Sequence, residues 1–244
     1  MEWKIVDTGY GTAEENMRFD ARLLEEGDAQ AKPILHLYEW QGPSATYGHF
    51  IDPSVFLHVE AAQKLGLQLA RRPTGGGIIF HIWDMAFSAL VPAHRPEYAL
   101  NTLDNYAFIN VAVLDAVSEF LEGKRALSLT PCDAPSLDAS CRHFCMANPT
   151  KYDVLWNEKK VAGAAQRKTK KGFLHQGSIS LTAPSQEYLE SVLLPGSAVA
   201  QAMQKYSYAL LESTASVEEV RSAKEKLKAL LATHLNKASL KYTT

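Results

Sequence analysis

The sequence predicts an α+β domain: a mixed, mostly antiparallel sheet flanked by helices. Three observations carry this. Strand-like and helix-like segments follow one another without the regular strand–helix alternation of a doubly wound nucleotide fold. Residues 151–168 carry a hairpin pattern, two apolar stretches about an Asn-Glu turn. The chain has 244 residues, 46% of them hydrophobic, a size for one large domain or one domain with an appendage.

The elements follow in order. "WKIVDTG" (3–9) reads as an opening strand. In "TAEENMRFDARLLEE" (12–26), Met17, Ala21 and Leu24 recur at helical spacing and Thr12 is placed to cap the first turn. Gly27-Asp28 ends that helix. "PILHLYEW" (33–40) is a strand, and "QGPSATYGH" turns into a short one. "DPSVFLHVEAAQKLGL" (52–67) opens with a cap signal and is expected to be one helix. "QLARRPT" returns as a strand, and "GIIFHI" and "MAFSALVP" (77–82 and 85–92) are expected to pair with each other. Residues 101–121 form the longest amphipathic helix. Residues 124–151 are irregular and rich in Pro, Ser, Cys and Asp; a loop this long in a compact domain is usually functional or disordered. "GFLHQGSISLT" (172–182) is a strand and the chain from Ser185 is helical, most strongly over 217–235. The expected division is a catalytic domain over 1–212 and a C-terminal helical tail over 213–244.

The bulk properties narrow the function. A net charge of −2 argues against a nucleic-acid or membrane surface as the main partner. The N-terminus "MEWKIVDTGYG" lacks the pattern of a signal peptide, and no apolar run approaches the ~18–20 residues that cross a bilayer, so a cytoplasmic location is expected. The three cysteines, Cys132, Cys141 and Cys145, are an odd, sparse count that argues against a disulfide framework, and all three fall within one short segment. With His143 they match no common zinc spacing, so no metal site is expected.

Three constellations bear on chemistry. "RRPTGGG" (71–77) is neither a P-loop nor a dinucleotide fingerprint. Its bare backbone beside Arg71 and Arg72 suits either an anion or a tight structural turn. "KKVAGAAQ" (159–166) sets Lys160 ahead of small residues that leave room for a narrow ligand, or else forms a basic surface hairpin. Cys145 follows Arg142 and His143 and precedes Lys151; nearby positive charge favours the nucleophilic thiolate, while the plain alternative is a small buried hydrophobe.

"RRPTGGGIIFH" followed by "KKVAGAAQRKTKKGFLHQGSISL" resembles the signature of the lipoate-protein ligase and octanoyltransferase family, over about residues 3–195. The resemblance implies a class II synthetase/biotin ligase-like fold. It implies an enzyme that attaches a lipoyl or octanoyl group to one lysine of a lipoyl domain, on 2-oxoacid dehydrogenase E2 subunits or the glycine cleavage H protein. Carried over by motif, Arg72, Thr74, Gly75, Gly76, Gly77 and His81 bind substrate. Lys160 meets the carbonyl or phosphate under attack, Gly163 and Ala164 flank an acyl tunnel, and His175, Gln176 and Gly177 close the second motif. Burying about seven methylenes at roughly 0.8 kcal/mol each would hold an eight-carbon chain.

Two chemistries compete within that family. Ligases activate free lipoate with ATP and Mg; transferases take octanoate from an acyl carrier protein through a cysteine and need no cofactor. Ligases usually read His-Asp-x-Gly-Asn after the glycines, whereas this chain reads "HIWDMAFS", one residue shorter. "CMANPTKYDV" resembles the segment that carries the transferase nucleophile, with Cys145 in its place. About fifty residues follow Pro195, too few for the accessory domain of many ligases. Acyl transfer through Cys145 with Lys160 as the second catalytic residue is therefore the leading expectation, ATP-dependent ligation the alternative, and a non-catalytic acyl-binding protein the third. A monomer is expected.

Overall fold

The computed structural model describes residues 2–26, 32–82 and 84–240. Ten strands and six helices follow in chain order: β1 (Lys4–Gly11), α1 (Ala13–Glu26), β2 (Ile34–Trp40), β3 (Ser44–Tyr47), α2 (Val59–Lys64), β4 (Gln68–Arg71), β5 (Ile78–His81), β6 (Asp84–Pro92), α3 (Thr102–Phe120), β7 (Leu127–Leu129), β8 (Val154–Trp156), β9 (Lys159–Lys168), β10 (Gly172–Ser180), α4 (Gln186–Val192), α5 (Val199–Tyr206) and α6 (Val217–Leu240). Seven strands form one sheet in the order β1-β2-β6-β10-β9-β8-β7 and three form another, β4-β3-β5. In the large sheet β1 runs parallel to β2 and every other neighbour pair is antiparallel, as the sequence leads one to expect.

The local signals are honoured where they are strong. Thr12 and Glu15 form a reciprocal capping box at the start of α1. The expected stop at Gly27-Asp28 lies outside the described residues. The β8–β9 turn sits at Asn157 and Glu158 with φ of 47° and 62°, the left-handed pair a two-residue hairpin requires.

Two expectations fail. Residues 52–67 are not one helix. A single tight 3₁₀ turn at Pro53–Val55, capped by Asp52, gives way to a bridge from Leu57 to Leu193 before α2 begins. Nor do β5 and β6 pair with each other. β5 joins β3 in the small sheet, while β6 crosses to the centre of the large one, between β2 and β10. The corner is tied by His81 Nδ1 and Asp84 Oδ2 at 2.7 Å. All nine residues of β6 are buried, the polar Asp84 and Ser88 among them.

The main core lies between the large sheet and α3 with α6. Leu227, Leu231 and Leu235 of α6 are fully buried there against Val113, Ala116 and Val117 of α3. The C-terminal helix thus shares the core of the residues before it. A second core lies under the small sheet, around Ile78, Phe80 and Phe144, with α4 and α5 closing it. The seam between the sheets is where the candidate site forms.

Candidate active site

The glycine turn is held from inside. The Arg72 guanidinium is 3% exposed and donates to Gly75 O from Nε at 3.0 Å and Nη2 at 2.8 Å. It also donates to Gly77 O at 2.7 Å and to Thr46 O and Oγ1 at 3.1 and 3.2 Å. A guanidinium has five donor hydrogens, so these bonds saturate it. Arg72 therefore acts as an internal clasp rather than the anion receptor that its neighbourhood suggested.

What lies against the bare backbone of the glycines is other backbone. A Cβ on Gly48 would overlap the Gly76 carbonyl, and one on Gly77 would overlap the carbonyl of His143. Gly76 itself sits at φ 85°. These contacts pull the 143–145 segment onto β5, where Cys145 N donates to Ile78 O at 2.8 Å. The result aims Cys145 Sγ at the turn, 3.7 Å from Arg72 Nη2. Sequence reading placed Gly75, Gly76 and Gly77 on the wall of an acyl pocket. A Cβ on Gly76 would lie 3.7 Å from Ala165 Cβ and 3.9 Å from Cys145 Sγ, two residues of that wall.

Lys160 arrives from the other side. The β8–β9 ladder carries a register shift at Val154/Leu155, opposite Lys160 to Ala162. A bulge of this kind re-aims a side chain. Lys160 is 3% exposed, pairs with Asp153 Oδ2 at 2.7 Å and donates to the Cys145 carbonyl at 2.8 Å. Asp153 also accepts from the Thr150 N–H at 2.7 Å and its hydroxyl at 3.0 Å. Burial pushes the Asp153 carboxyl above its ordinary range, against the pull of Lys160 and Thr150. Gly163 makes room for the lysine: a Cβ there would lie 2.5 Å from Lys160 Nζ and 2.7 Å from Asp153 Oδ1.

Between these groups runs a narrow cleft with an open volume of about 410 Å³. Arg72, His81, Cys145, Lys160, Gly163, Ala164, Gln176 and Gly177 line it, so eight of the residues singled out in the sequence converge on one place. Met17, Tyr38, Ile79 and Ala165 complete its apolar surface and were not anticipated. Met17 and Tyr38 sit on α1 and β2, far from either motif in sequence, and only the fold brings them in.

Thr74 and His175 are not in the cleft lining. Thr74 is fully buried and donates from Oγ1 to Gln176 Oε1 at 2.7 Å. Gln176 in turn donates to Asp20 Oδ2 at 2.6 Å, and Asp20 holds His36 Nδ1 at 2.8 Å. This polar chain braces the turn from below. His175 does not reach the cleft. Alternation along β10 sends it to the α3 face, near Phe87 and Tyr106, with ring centroids at 6.2 and 5.4 Å. Burial pushes its imidazole down to about 3. His81 does face the cleft, locked between Asp84 and Thr46 Oγ1 and stacked on Trp40 at 4.1 Å. Cys141 is buried and Cys132 exposed. Among the described residues no cluster of three or more His, Cys, Asp or Glu could hold a metal ion, and no helix is long and apolar enough to cross a membrane.

The sequence profile described as the lipoyl protein ligase A/B catalytic domain matches residues 12–235. The chain belongs to this family. Among curated relatives, the octanoyltransferase LipM of Bacillus subtilis (strain 168) is 27% identical over 243 residues, covering 96% of this chain and 87% of the relative. That of Geobacillus kaustophilus (strain HTA426) is 26% identical over 229 residues, covering 91% and 82%. Among solved structures, a lipoate-protein ligase A bound with ATP superposes with a TM-score of 0.70 at 21% identity, covering all of this chain and 97% of that one. The bipartite lipoate protein ligase of Thermoplasma acidophilum, studied with its E2 lipoyl domain, gives 0.67 at 21% identity, covering 100% and 94%. Both confirm the fold of the lipoyl ligase A/B family. The family profile ends inside α6, in keeping with that helix's place in the core.

Proposed function

We propose that this protein is an octanoyltransferase of protein lipoylation that works through an acyl-enzyme on Cys145. The observation that carries the reading is the position of Cys145 Sγ in the wall of an apolar cleft, beside the Arg72 guanidinium at 3.7 Å, with the Lys160 ammonium bonded to the carbonyl of the same residue. The curated relatives named octanoyltransferase support the same substrate class.

The octanoyl tail lies along Met17, Ile79 and Ala165, and its thioester carbonyl meets Sγ. The sulfur attacks, the Sγ–C bond forms, and the donor's C–S bond breaks. The departing thiolate leaves with the proton that the cysteine gives up. An ammonium has three donor hydrogens, and two of those on Lys160 are engaged by Asp153 and Cys145 O. The third is left for the oxyanion that develops at the carbonyl. In the second step a lysine amine of a lipoyl domain attacks the acyl-enzyme. The N–C bond forms, the Sγ–C bond breaks, and the amine's proton returns to the thiol. Apolar walls exclude water, which would otherwise hydrolyse the intermediate. Neither step uses ATP or a metal. The donor is an octanoyl acyl carrier protein, and the acceptor is a lipoyl domain.

The experiment supplies purified protein with a lipoyl domain and either octanoyl carrier protein alone or free lipoate with ATP and Mg²⁺. Transfer from the thioester, lost in Cys145→Ala, supports the reading. Transfer from lipoate and ATP that persists in Cys145→Ala overturns it in favour of ligation.

A further inference from the structure

A second and larger cavity, with an open volume of about 1220 Å³, adjoins the acyl cleft. The two share Ile79 and Ser178 in their walls, and consecutive residues of one segment divide between them: Cys145 faces the first and Met146 the second. The Cys145–Met146 segment thus contributes to both walls. The proposed mechanism fills the first cavity with the acyl tail and assigns nothing to the second.

The lining of the second cavity defines its ligand. Ser180, Thr182 and Gln204 offer uncharged hydroxyl and amide groups, and Met146, Leu189 and Met203 offer apolar surface. Among the described residues the lining holds no Lys, Arg or His. It does hold a carboxylate. Asp84 is 4% exposed and bonds His81 and Ser178 through Oδ2, while its Oδ1 is buried without a hydrogen-bond partner among the described residues. A buried carboxylate oxygen with no partner calls for an N–H or O–H donor, and a wall with a carboxylate and no cation disfavours a phosphate chain.

We infer that this cavity receives the uncharged diamide arm of a pantetheine thioester, so that acyl tail and departing thiol occupy separate cavities on either side of Cys145. The inference rests on the transferase reading above. The arm has two amide N–H donors for Asp84 and Gln204, hydroxyl and carbonyl groups for Ser180 and Thr182, and a gem-dimethyl group for the methionines. Its phosphate end leaves through the open mouth, outside the cation-free wall. After acyl transfer the freed arm withdraws and uncovers the acyl-enzyme for the incoming amine.

The test measures kcat/KM for acylation of Cys145 with two octanoyl thioesters, one on pantetheine and one on N-acetylcysteamine, which lacks the outer half of the arm. The expected wild-type preference for the full arm is about tenfold or more. Ala200→Phe fills the cavity from α5, and Gln204→Leu removes an amide; each should bring the ratio towards one. The ratio compares substrates on one preparation, so general damage to the fold leaves it unchanged. A ratio near one in the wild type, or a wild-type ratio in active Ala200→Phe and Gln204→Leu, overturns the inference. So does calorimetric binding of ATP that Ala200→Phe abolishes and that pantetheine does not displace. Absence of any adduct on Cys145 with either thioester strikes the transferase reading instead. Calorimetric titration with pantetheine, wild type against Ala200→Phe, then decides the cavity by itself. Octanoyl-coenzyme A run beside octanoyl carrier protein shows which of the two presents the arm.

Discussion

Lys160 and Asp153 form an ion pair of 2.7 Å in which both side chains are only 3% exposed. Charges so fully removed from water stand only when every partner is in place. Removing Asp153 strands the ammonium, and Asp153→Ala is expected to destabilise the protein by about 3–5 kcal/mol in urea denaturation. The double variant Asp153→Leu/Lys160→Met removes both charges and should regain most of that stability while remaining inactive. A double variant as unstable as the single one would show that the pair matters to folding through something other than its charges.

Gly163 is a space requirement of the same pair. Gly163→Ala sets a methyl 2.5 Å from Lys160 Nζ and 2.7 Å from Asp153 Oδ1. Lys160 must then leave its bond to the Cys145 carbonyl. Acyl transfer should fall by roughly 10²-fold, the scale of losing one oxyanion donor, and the loss should appear in kcat rather than KM. Unchanged kcat would remove Lys160 from the reaction.

His175 makes stability depend on acid. Burial holds its imidazole at about 3, against an ordinary value of 6.5. A lowered folded value means that the unfolded chain takes the proton first. The contribution to stability is therefore complete above about pH 6.5 and is lost as pH falls from there towards 3. The His175→Phe variant should show a shallower decline over that window in denaturant midpoints. Equal slopes in the two proteins would place the acid sensitivity elsewhere.

Leu227 on α6 is fully buried in the main core. Leu227→Ala should cost about 2–5 kcal/mol, the range for a leucine truncated in a core. A change near zero would mean that the C-terminal helix is an appendage after all.

Much of this was legible in the sequence, for identifiable reasons. Left-handed turn residues marked the β8–β9 hairpin at Asn157 and Glu158. The family motifs brought Cys145, Lys160 and Gly163 to one cleft. Sheet membership was not legible. β5 and β6 each read as a strand, and a strand's period does not say which neighbour it will take. Nor were the glycines, because their role depends on backbone from 48 and 143 meeting them. His175 and Gln176 were read as one motif, yet strand alternation sends them to opposite faces. Asp153 gave the weakest signal: one carboxylate beside a hairpin, recognisable as the partner of Lys160 only once the bulge in β9 is seen.

The most direct test is to trap the intermediate. The protein is incubated with octanoyl carrier protein without acceptor, quenched in acid and examined intact and after digestion by mass spectrometry. The proposed mechanism predicts one octanoyl group per chain, mapped to Cys145, released by hydroxylamine and discharged by a lipoyl domain. No adduct in the wild type, or one on Cys132 or Cys141 with undiminished transfer by Cys145→Ala, would contradict it.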